Sequence, residues 1–105
     1  MLQKIETDQA PKAIGPYSQG IATEQFVFVS GQIPIDPKSG KLVDPTIEGQ
    51  TRQVFDHIEA ILKAAGLTLA HVVKTEIYVK DLNDFQAVNQ LYMDSLIEIS
   101  CIAVK

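Results

Sequence analysis

The sequence predicts an α+β fold in which one sheet carries two helices on one face. Apolar residues at steps of three and four between Thr46 and Gly66 predict one long helix. The alternating runs Val72–Val79 and Ile97–Val104 predict two strands, each with one face on a core. The chain has 105 residues, of which 46% are hydrophobic and 21% charged, and this composition predicts a single folded domain over residues 1–105.

Shorter patterns predict the other elements. Lys4–Thr7 predicts a short strand, and the runs Tyr17–Ala22 and Phe26–Gly31 predict a hairpin around residues 23–25. Residues 81–84 offer a helix N-cap, and the apolar residues that follow them at helical spacing predict a second, shorter helix; they are Phe85, Val88, Leu91 and Tyr92. From the hairpin onward the predicted order is therefore ββαβαβ.

The second face of the predicted sheet lacks a cover. Two helices on one face leave the other face to solvent or to another subunit. The two long strands place apolar side chains on that face, namely Val72, Tyr78, Ile102 and Val104. Since this is more apolar surface than a solvated sheet face usually carries, we expect a homo-oligomer.

Charge and composition exclude several classes of function. The net charge of −4 disfavours binding to a phosphate backbone, so we expect no nucleic-acid partner. The longest purely apolar run, Phe26–Val29, is too short to span a membrane, and no signal-peptide pattern is present, so a cytoplasmic location is expected. His57 and His71 lack partners at metal-ligand spacing. The only cysteine, Cys101, falls on the apolar face of the last strand and predicts a buried, inert thiol.

Four separated motifs, in this order along the chain, resemble the RidA/YjgF family of imine deaminases. They are Ile14–Gly20, Val29–Pro34, Val73–Leu82 together with Phe85 and Asn89, and Ile97–Val104. The resemblance covers the chain from about Lys4 to Lys105. Because it rests on four motifs together, it is far more specific than any one of them.

The resemblance implies a chorismate-mutase-like fold and a homotrimer whose sheets form a central barrel, with three sites in clefts between subunits. It also implies an activity in the cytoplasm, namely the hydrolysis of reactive 2-imino or enamine acids such as 2-iminobutanoate and 2-iminopropanoate. Pyridoxal-phosphate enzymes such as threonine dehydratase release these compounds. The products are a 2-oxo acid and ammonia, and neither a metal nor a cofactor is needed.

The resemblance, read with this chemistry, indicates two catalytic residues. An iminium carbon is already electrophilic, so one carboxylic acid that activates water and moves protons suffices. Glu98 is the candidate acid/base; without the family motif it would be interpreted as a solvent-facing strand carboxylate. Tyr17 is the second candidate, as a hydrogen-bond donor or a stacking partner of the substrate, or else as the anchor of the loop after Gly15.

Three further residues are candidates for substrate binding. Ser30 and Gly31 end a predicted strand, where backbone N–H groups can face a carboxylate and the missing side chain of Gly31 permits close approach. An ordinary strand-ending glycine is the alternative. Asn89 on the second helix bonds the substrate or a neighbouring loop, or else has a capping role.

The sequence departs from the family at one functional residue. The family carries an arginine, in a Pro-Ala-Arg-Ser-like segment between the second helix and the last strand, that pairs with the substrate carboxylate. Here Tyr92 is followed by only Met-Asp-Ser-Leu before the last strand, and the only arginine, Arg52, lies in the long helix. Lysine does not reproduce the bidentate geometry of a guanidinium. We therefore predict that one strand, between about residues 93 and 96, is missing from this sequence.

The short link between Tyr92 and the last strand also indicates that one strand is missing from this sequence. A strand–helix–strand unit normally returns its second strand parallel to the first. Four residues after Tyr92 reach roughly 14 Å at most. Ile97–Val104 would then either run parallel to Val72–Val79 or be reached by a stretched link.

Three functions are compatible with these residues. The leading one is hydrolysis of short 2-imino acids, with Glu98 activating water and with Gly31 and Tyr17 lining the cleft. The second is a trimer of the same fold that binds small carboxylates or regulates partner proteins without turnover, which a true deletion of the strand would favour. RNA cleavage or inhibition of translation is the least compatible with the net charge of −4.

Overall fold

The computed structural model describes residues 2–13, 15–43, 46–79 and 97–105. The elements in chain order are the strands β1 (Gln3–Ile5), β2 (Gly20–Ala22) and β3 (Phe26–Gln32), helix α1 (Ile47–Ala64), a 3₁₀ turn (Leu69–His71), and the strands β4 (Val72–Val79) and β5 (Ile97–Val104). The predicted second helix, with Phe85 and Asn89, and the connection at residues 93–96 lie outside the described residues. No helix in the described ranges is long and apolar enough to cross a membrane.

The strands form one five-stranded sheet in the order β1-β2-β3-β5-β4. All neighbouring pairs are antiparallel. The pairing of Ala22 with Val27 confirms the predicted hairpin between β2 and β3. β5, the last of these strands along the chain, lies between β3 and β4 and therefore joins the hairpin to the rest of the sheet.

Of the two alternatives given above for Ile97–Val104, the direction parallel to β4 does not occur. β4 and β5 are antiparallel, and Val79 pairs with Ile97. Residues 80–96 therefore join two strand ends that lie side by side at the same end of the sheet. The handedness rule for crossovers applies only to parallel strands, so it places no constraint on this link.

Helix α1 supplies one layer of the core. The Thr46 side chain accepts a hydrogen bond from the Gly49 N–H at 3.1 Å, which caps the first turn. Gly66 has φ +80°, a conformation suited to glycine, and its N–H donates to the Lys63 carbonyl at the other end. Both predicted ends of the long helix are thus confirmed. Its buried residues pack on the inner side chains of β3 and β5; they include Val54, Ile58, Ile61 and Leu62 from the helix and Val27, Val29, Ile99 and Ala103 from the sheet.

A bulge changes one predicted orientation on β4. Val72 pairs with Ala103 and Lys74 pairs with Ile102, so Val73 is an additional residue in β4. Val72 therefore packs against the core, whereas Val73 is 63% exposed. The prediction that Val72 lies on the face away from α1 is wrong, because simple alternation does not anticipate a bulge.

The face of the sheet opposite α1 is strongly apolar along β3 and β5. Phe26 pairs with Val104 and Phe28 pairs with Ile102 on this face. The two phenylalanine rings lie 6.2 Å apart between centroids, and they are 39% and 43% exposed. We call this surface the open face.

Candidate functional site

The predicted residues Gly31 and Glu98 meet where β3 passes β5. Val29 pairs with Cys101 and Gln32 pairs with Ile99, so Ser30 and Gly31 together stand opposite one residue of β5. A Cβ on Gly31 would lie 2.6 Å from Glu98 Oε2 and 2.9 Å from Glu98 Cδ. The carboxylate thus rests against the backbone of a residue that has no side chain, and only glycine leaves this space.

Ser30 is held by the segment that follows Tyr17. Its backbone N–H donates to the Gln19 carbonyl at 3.0 Å, and its hydroxyl donates to the Ser18 carbonyl. Both Ser30 donors are therefore used within the chain. Of the two backbone N–H groups proposed above to face a ligand, that of Gly31 is the remaining candidate.

Tyr17 lies at the border of an open cleft. Its side chain is 43% exposed, and its ring packs over Gly15, where a Cβ would come 3.5 Å from Tyr17 Cε2. The cleft has a volume of about 550 Å³ and is also bordered by Lys4 and Lys12. Glu98 does not border this cleft. The two hydrogen bonds from Ser30 to the carbonyls of Ser18 and Gln19 connect the two regions.

Gln19 is a structural residue of the site that the sequence patterns missed. Its side chain is only 3% exposed. Its Oε1 accepts from the Thr7 N–H at 2.7 Å, and its Nε2 donates to the carbonyls of Thr7, Ala10 and Pro11 at 2.9, 3.1 and 2.8 Å. One amide thereby fixes the loop after β1 against the segment of Tyr17. A lone glutamine before a strand gives no signal of this role in the sequence.

A second polar pair lies beside Glu98 on the open face. Tyr78 is the cross-strand neighbour of Glu98, and its hydroxyl donates to Glu76 Oε2 at 2.9 Å. This hydrogen bond raises the pKa of Tyr78, and the negative charges of Glu76 and Glu98 act in the same direction. The sequence placed Tyr78 and Glu76 on one face, but only the register of β4 and β5 brings them to Glu98.

The described residues supply no guanidinium to this site. Arg52 is exposed on α1, and α1 covers the opposite face of the sheet. Within the described ranges, no group of histidine, cysteine or acidic side chains is arranged to hold a metal ion. Cys101 is 4% exposed, and burial raises the pKa of its thiol to about 11, which confirms the predicted buried thiol. Asn89 lies outside the described residues.

Comparison with known proteins links this arrangement to one family. The family model described as endoribonuclease L-PSP matches residues 7–103. The chain is 48% identical over 92 residues to a protein of Salmonella typhimurium named 2-iminobutanoate/2-iminopropanoate deaminase. That match spans 88% of this chain and 71% of the relative.

Solved structures show the same fold. The crystal structure of the YjgF gene product of Escherichia coli matches with a TM-score of 0.83 and 39% identity, covering 98% of each chain. Escherichia coli TdcF, whose structure contains bound serine, matches with a TM-score of 0.83 and 34% identity, again covering 98% of each chain. Similarity therefore extends over the β1–β3 region, α1 and the two long strands alike.

Proposed function

The chain belongs to the RidA/YjgF family, and from this premise we propose that it hydrolyses short 2-imino acids to 2-oxo acids and ammonia. The relative named 2-iminobutanoate/2-iminopropanoate deaminase, at 48% identity, supports this substrate class. The observation that carries the proposal is the carboxylate of Glu98 seated on Gly31. Glu98 is half-buried, so its carboxylate is within reach of a small planar substrate and of water.

The proposed reaction needs one group that moves protons. Glu98 takes a proton from water as the water oxygen bonds to the iminium carbon, which gives a tetrahedral carbinolamine. Glu98 then returns that proton to the amine nitrogen. The C–N bond breaks as the C=O bond forms, Glu98 takes the hydroxyl proton of the carbinolamine, and it passes this proton to the departing ammonia, which leaves as ammonium and regenerates the carboxylate. The sum is iminium acid plus water to 2-oxo acid plus ammonium, and it involves no redox step.

Tyr78 is proposed to line the site beside Glu98, as its neighbour on the adjacent strand. Its hydroxyl donates a hydrogen bond to Glu76. Tyr17 is proposed to donate a hydrogen bond to the substrate or to stack on it from the edge of its cleft. Ser30 is proposed to hold the Tyr17 segment in place through the Ser18 carbonyl.

We expect this chain to bind the substrate carboxylate weakly. We propose that the chain acts in the cytoplasm as a homotrimer, with the open face inside the assembly, so that a neighbouring subunit completes each site. Phe26 and Phe28 support this, because a trimer would remove their exposed rings from water. Without an arginine near Gly31 we expect weak substrate binding, and therefore a high KM. Asn89 remains a proposed ligand of the substrate.

We further propose that the natural chain carries an additional strand between about residues 93 and 96. The Salmonella typhimurium relative supports this, because the match spans 88% of this chain but only 71% of the relative. The intact mass of the protein purified from its natural source tests the idea. A mass above 11.5 kDa by about one strand is expected, and a mass of 11.5 kDa would refute it.

The activity is tested by ammonia release from an imino acid generated in place by threonine dehydratase. The wild-type protein should accelerate release, and Glu98→Gln should lower the acceleration by ~10²-fold or more. Glu24→Gln is the matched control, because Glu24 is an exposed carboxylate in the turn between β2 and β3. It should leave the rate unchanged.

Two results would contradict the proposal. An equal rate with and without the wild-type protein would exclude deaminase activity, and serine binding by calorimetry would then favour the non-catalytic carboxylate-binding alternative. An unchanged rate in folded Glu98→Gln would remove Glu98 from the mechanism. Thermal melting of both variants shows whether a loss of rate reflects a loss of fold.

A further inference from the structure

Four polar side chains lie together on the open face, two on β4 and two on β5. In the register of these strands Tyr78 pairs with Glu98, and Glu76 pairs with Ser100. Residues two apart in one strand point to the same face, as do residues directly opposite each other on neighbouring strands. The Cβ atoms of directly opposite residues are about 4.5 to 5.5 Å apart. The ring of Tyr78 therefore stands beside the side chain of Glu98.

The three neighbours of Glu98 in the sheet differ in size. On β3 its carboxylate rests against Gly31, which has no side chain. Two residues further along β5 lies Ser100, whose side chain is small. On β4 lies the aromatic ring of Tyr78. Of these three neighbours, only Tyr78 is large enough to limit the size of a molecule that binds at Glu98.

The ring of Tyr78 is held at both of its ends. One end is attached to the backbone of β4, and at the other end the hydroxyl donates to Glu76 Oε2 at 2.9 Å. The hydrogen bond to Glu76 raises the pKa of Tyr78 most, and the charge of Glu98 also raises it, as expected of a hydroxyl close to both carboxylates. A ring held in this way moves aside for a bulky ligand only if the hydrogen bond breaks.

These contacts lie on a face of the sheet and not at its outer edge. A further strand beside β4 would bond to backbone N–H and C=O groups, which point along the sheet. The side chains of Tyr78 and Glu98 point away from the sheet on one face. They are therefore neighbours whether or not another strand pairs with the edge of β4.

We propose, on the basis of the deaminase function above, that Tyr78 is a specificity-determining residue whose ring restricts the site at Glu98 to 2-imino acids with short side chains. Water activated by Glu98 attacks C2 of the imino acid, so C2 lies about 3 to 3.5 Å from that water. The side chain carried by C2 then lies in the space beside the Tyr78 ring. A methyl or ethyl group fits there, whereas a branched or aromatic group meets the ring. Tyr78 itself does not act on the reacting atoms.

Substitution of Tyr78 tests the restriction with two imino acids of different size. An amino acid oxidase generates them in place from 2-aminobutanoate and from phenylalanine, and ammonia release is measured with each. In the wild-type protein, kcat/KM for the smaller imino acid should exceed that for the larger one by ~10-fold or more, the range in which an apolar contact discriminates between side chains. Tyr78→Ala should reduce this ratio by ~10-fold, because it removes the contact.

Substitution of Glu76 separates its hydrogen bond from its charge. Glu76→Gln keeps an oxygen that accepts from the Tyr78 hydroxyl, so the ratio of the two kcat/KM values should stay as in the wild type. Glu76→Ala and Tyr78→Phe each remove the hydrogen bond, and each should lower the ratio by the same factor, less than Tyr78→Ala does. The double variant Glu76→Ala/Tyr78→Phe should lower it no further, because both substitutions remove one shared contact. Melting temperatures of all variants show whether the fold is intact.

Three outcomes would overturn the proposal. Equal kcat/KM values of the wild-type protein for the two imino acids would mean that the site does not select by size. An unchanged ratio in folded Tyr78→Ala would mean that another group sets the limit. A ratio lowered as much by Glu76→Gln as by Glu76→Ala would mean that the charge of Glu76 acts, and not the hydrogen bond that holds the ring.

Binding of the products distinguishes this proposal from the deaminase function, because it needs no turnover. Calorimetry gives Kd for 2-oxobutanoate and for 2-oxo-3-phenylpropanoate. Tyr78→Ala should strengthen binding of the larger product relative to the smaller one by ~10-fold. If this shift is seen while the wild-type protein accelerates neither reaction, the deaminase function is wrong and the size limit stands. If the shift is absent, the size limit is wrong, whether or not the chain is a deaminase.

Discussion

The carboxylate of Glu98 fills the space that a side chain on residue 31 would need. A Cβ there would stand 2.6 Å from Glu98 Oε2, well inside van der Waals contact. The obstructing atom is the far end of a flexible side chain and not backbone. Gly31→Ala should therefore displace the carboxylate and leave the sheet intact.

We expect Gly31→Ala to lower deaminase activity by about 10- to 100-fold, since a misplaced catalytic group loses much of its effect. The free energy of unfolding should change by less than about 1.5 kcal/mol. The control is the double variant with Glu98→Gln. If the alanine acts through Glu98, the double variant should be no slower than Glu98→Gln alone. Full additivity of the two losses would show that Gly31 acts in another way.

Replacement of Gln19 by alanine should cause a large loss of stability. Gln19→Ala removes a buried amide and leaves the Thr7 N–H and three carbonyls without their partner. The free energy of unfolding should fall by about 2–4 kcal/mol in urea denaturation. Gln9→Ala is the matched control on the same loop, because Gln9 is exposed, and it should cost less than about 0.5 kcal/mol. Equal effects of the two variants would contradict this role.

His57 predicts a dependence of stability on pH. The ring is fully buried on α1, with Nε2 at 2.8 Å from Gln53 Nε2, and burial lowers the pKa of His57 from its ordinary 6.5. In acid the unfolded chain therefore takes up a proton that the folded chain refuses. Titration of His57 therefore leaves the free energy of unfolding unchanged above about pH 6.5 and lowers it as the pH falls below that value.

Melting temperatures measured between pH 8 and pH 5 test this dependence. The wild-type protein should lose stability on acidification, and His57→Gln should show a shallower decline because its amide does not titrate. His71→Gln is the control, since His71 is only half-buried in the 3₁₀ turn. An identical slope in His57→Gln and wild type would refute the assignment.

A substitution at Phe28 tests whether the proposed trimer forms through the open face. It is 43% exposed in the single chain and lies beside Phe26. Phe28→Asp should convert the proposed trimer to smaller species in sedimentation, because a carboxylate cannot be buried there without a partner. Leu2→Asp is the control, since Leu2 is 71% exposed and lies outside the sheet. Unchanged mass in Phe28→Asp would show that the open face is not the contact.

Much of the fold follows from local patterns in the sequence. The Thr46 cap and Gly66 set the ends of α1, and the alternation of β5 sets a buried and an open face. The local patterns predicted the wrong bounds where contacts between distant residues determine the end of an element. β2 begins at Gly20 and not at Tyr17, since Ser18 and Gln19 are engaged with Ser30 and the loop after β1.

The candidate site was predictable in its residues but not in its geometry. Glu98 and Gly31 were identified from motifs far apart in the chain, and a bulge in β3 brings them together. No local pattern reports such a bulge, because it depends on the register between two distant strands. The position of Tyr78 beside Glu98 depends on the same register.

The central place of β5 has a consequence for synthesis on the ribosome. β5 is made after every other described strand, yet β3 and β4 meet only through it. Until β5 emerges, the β2–β3 hairpin and β4 each have an edge that is unpaired among the described strands, and the apolar side of α1 lacks the β5 side chains on which it packs. Nascent chains of this protein therefore expose unpaired strand edges until β5 has left the ribosome, and we expect chaperones that act at the ribosome exit to bind them.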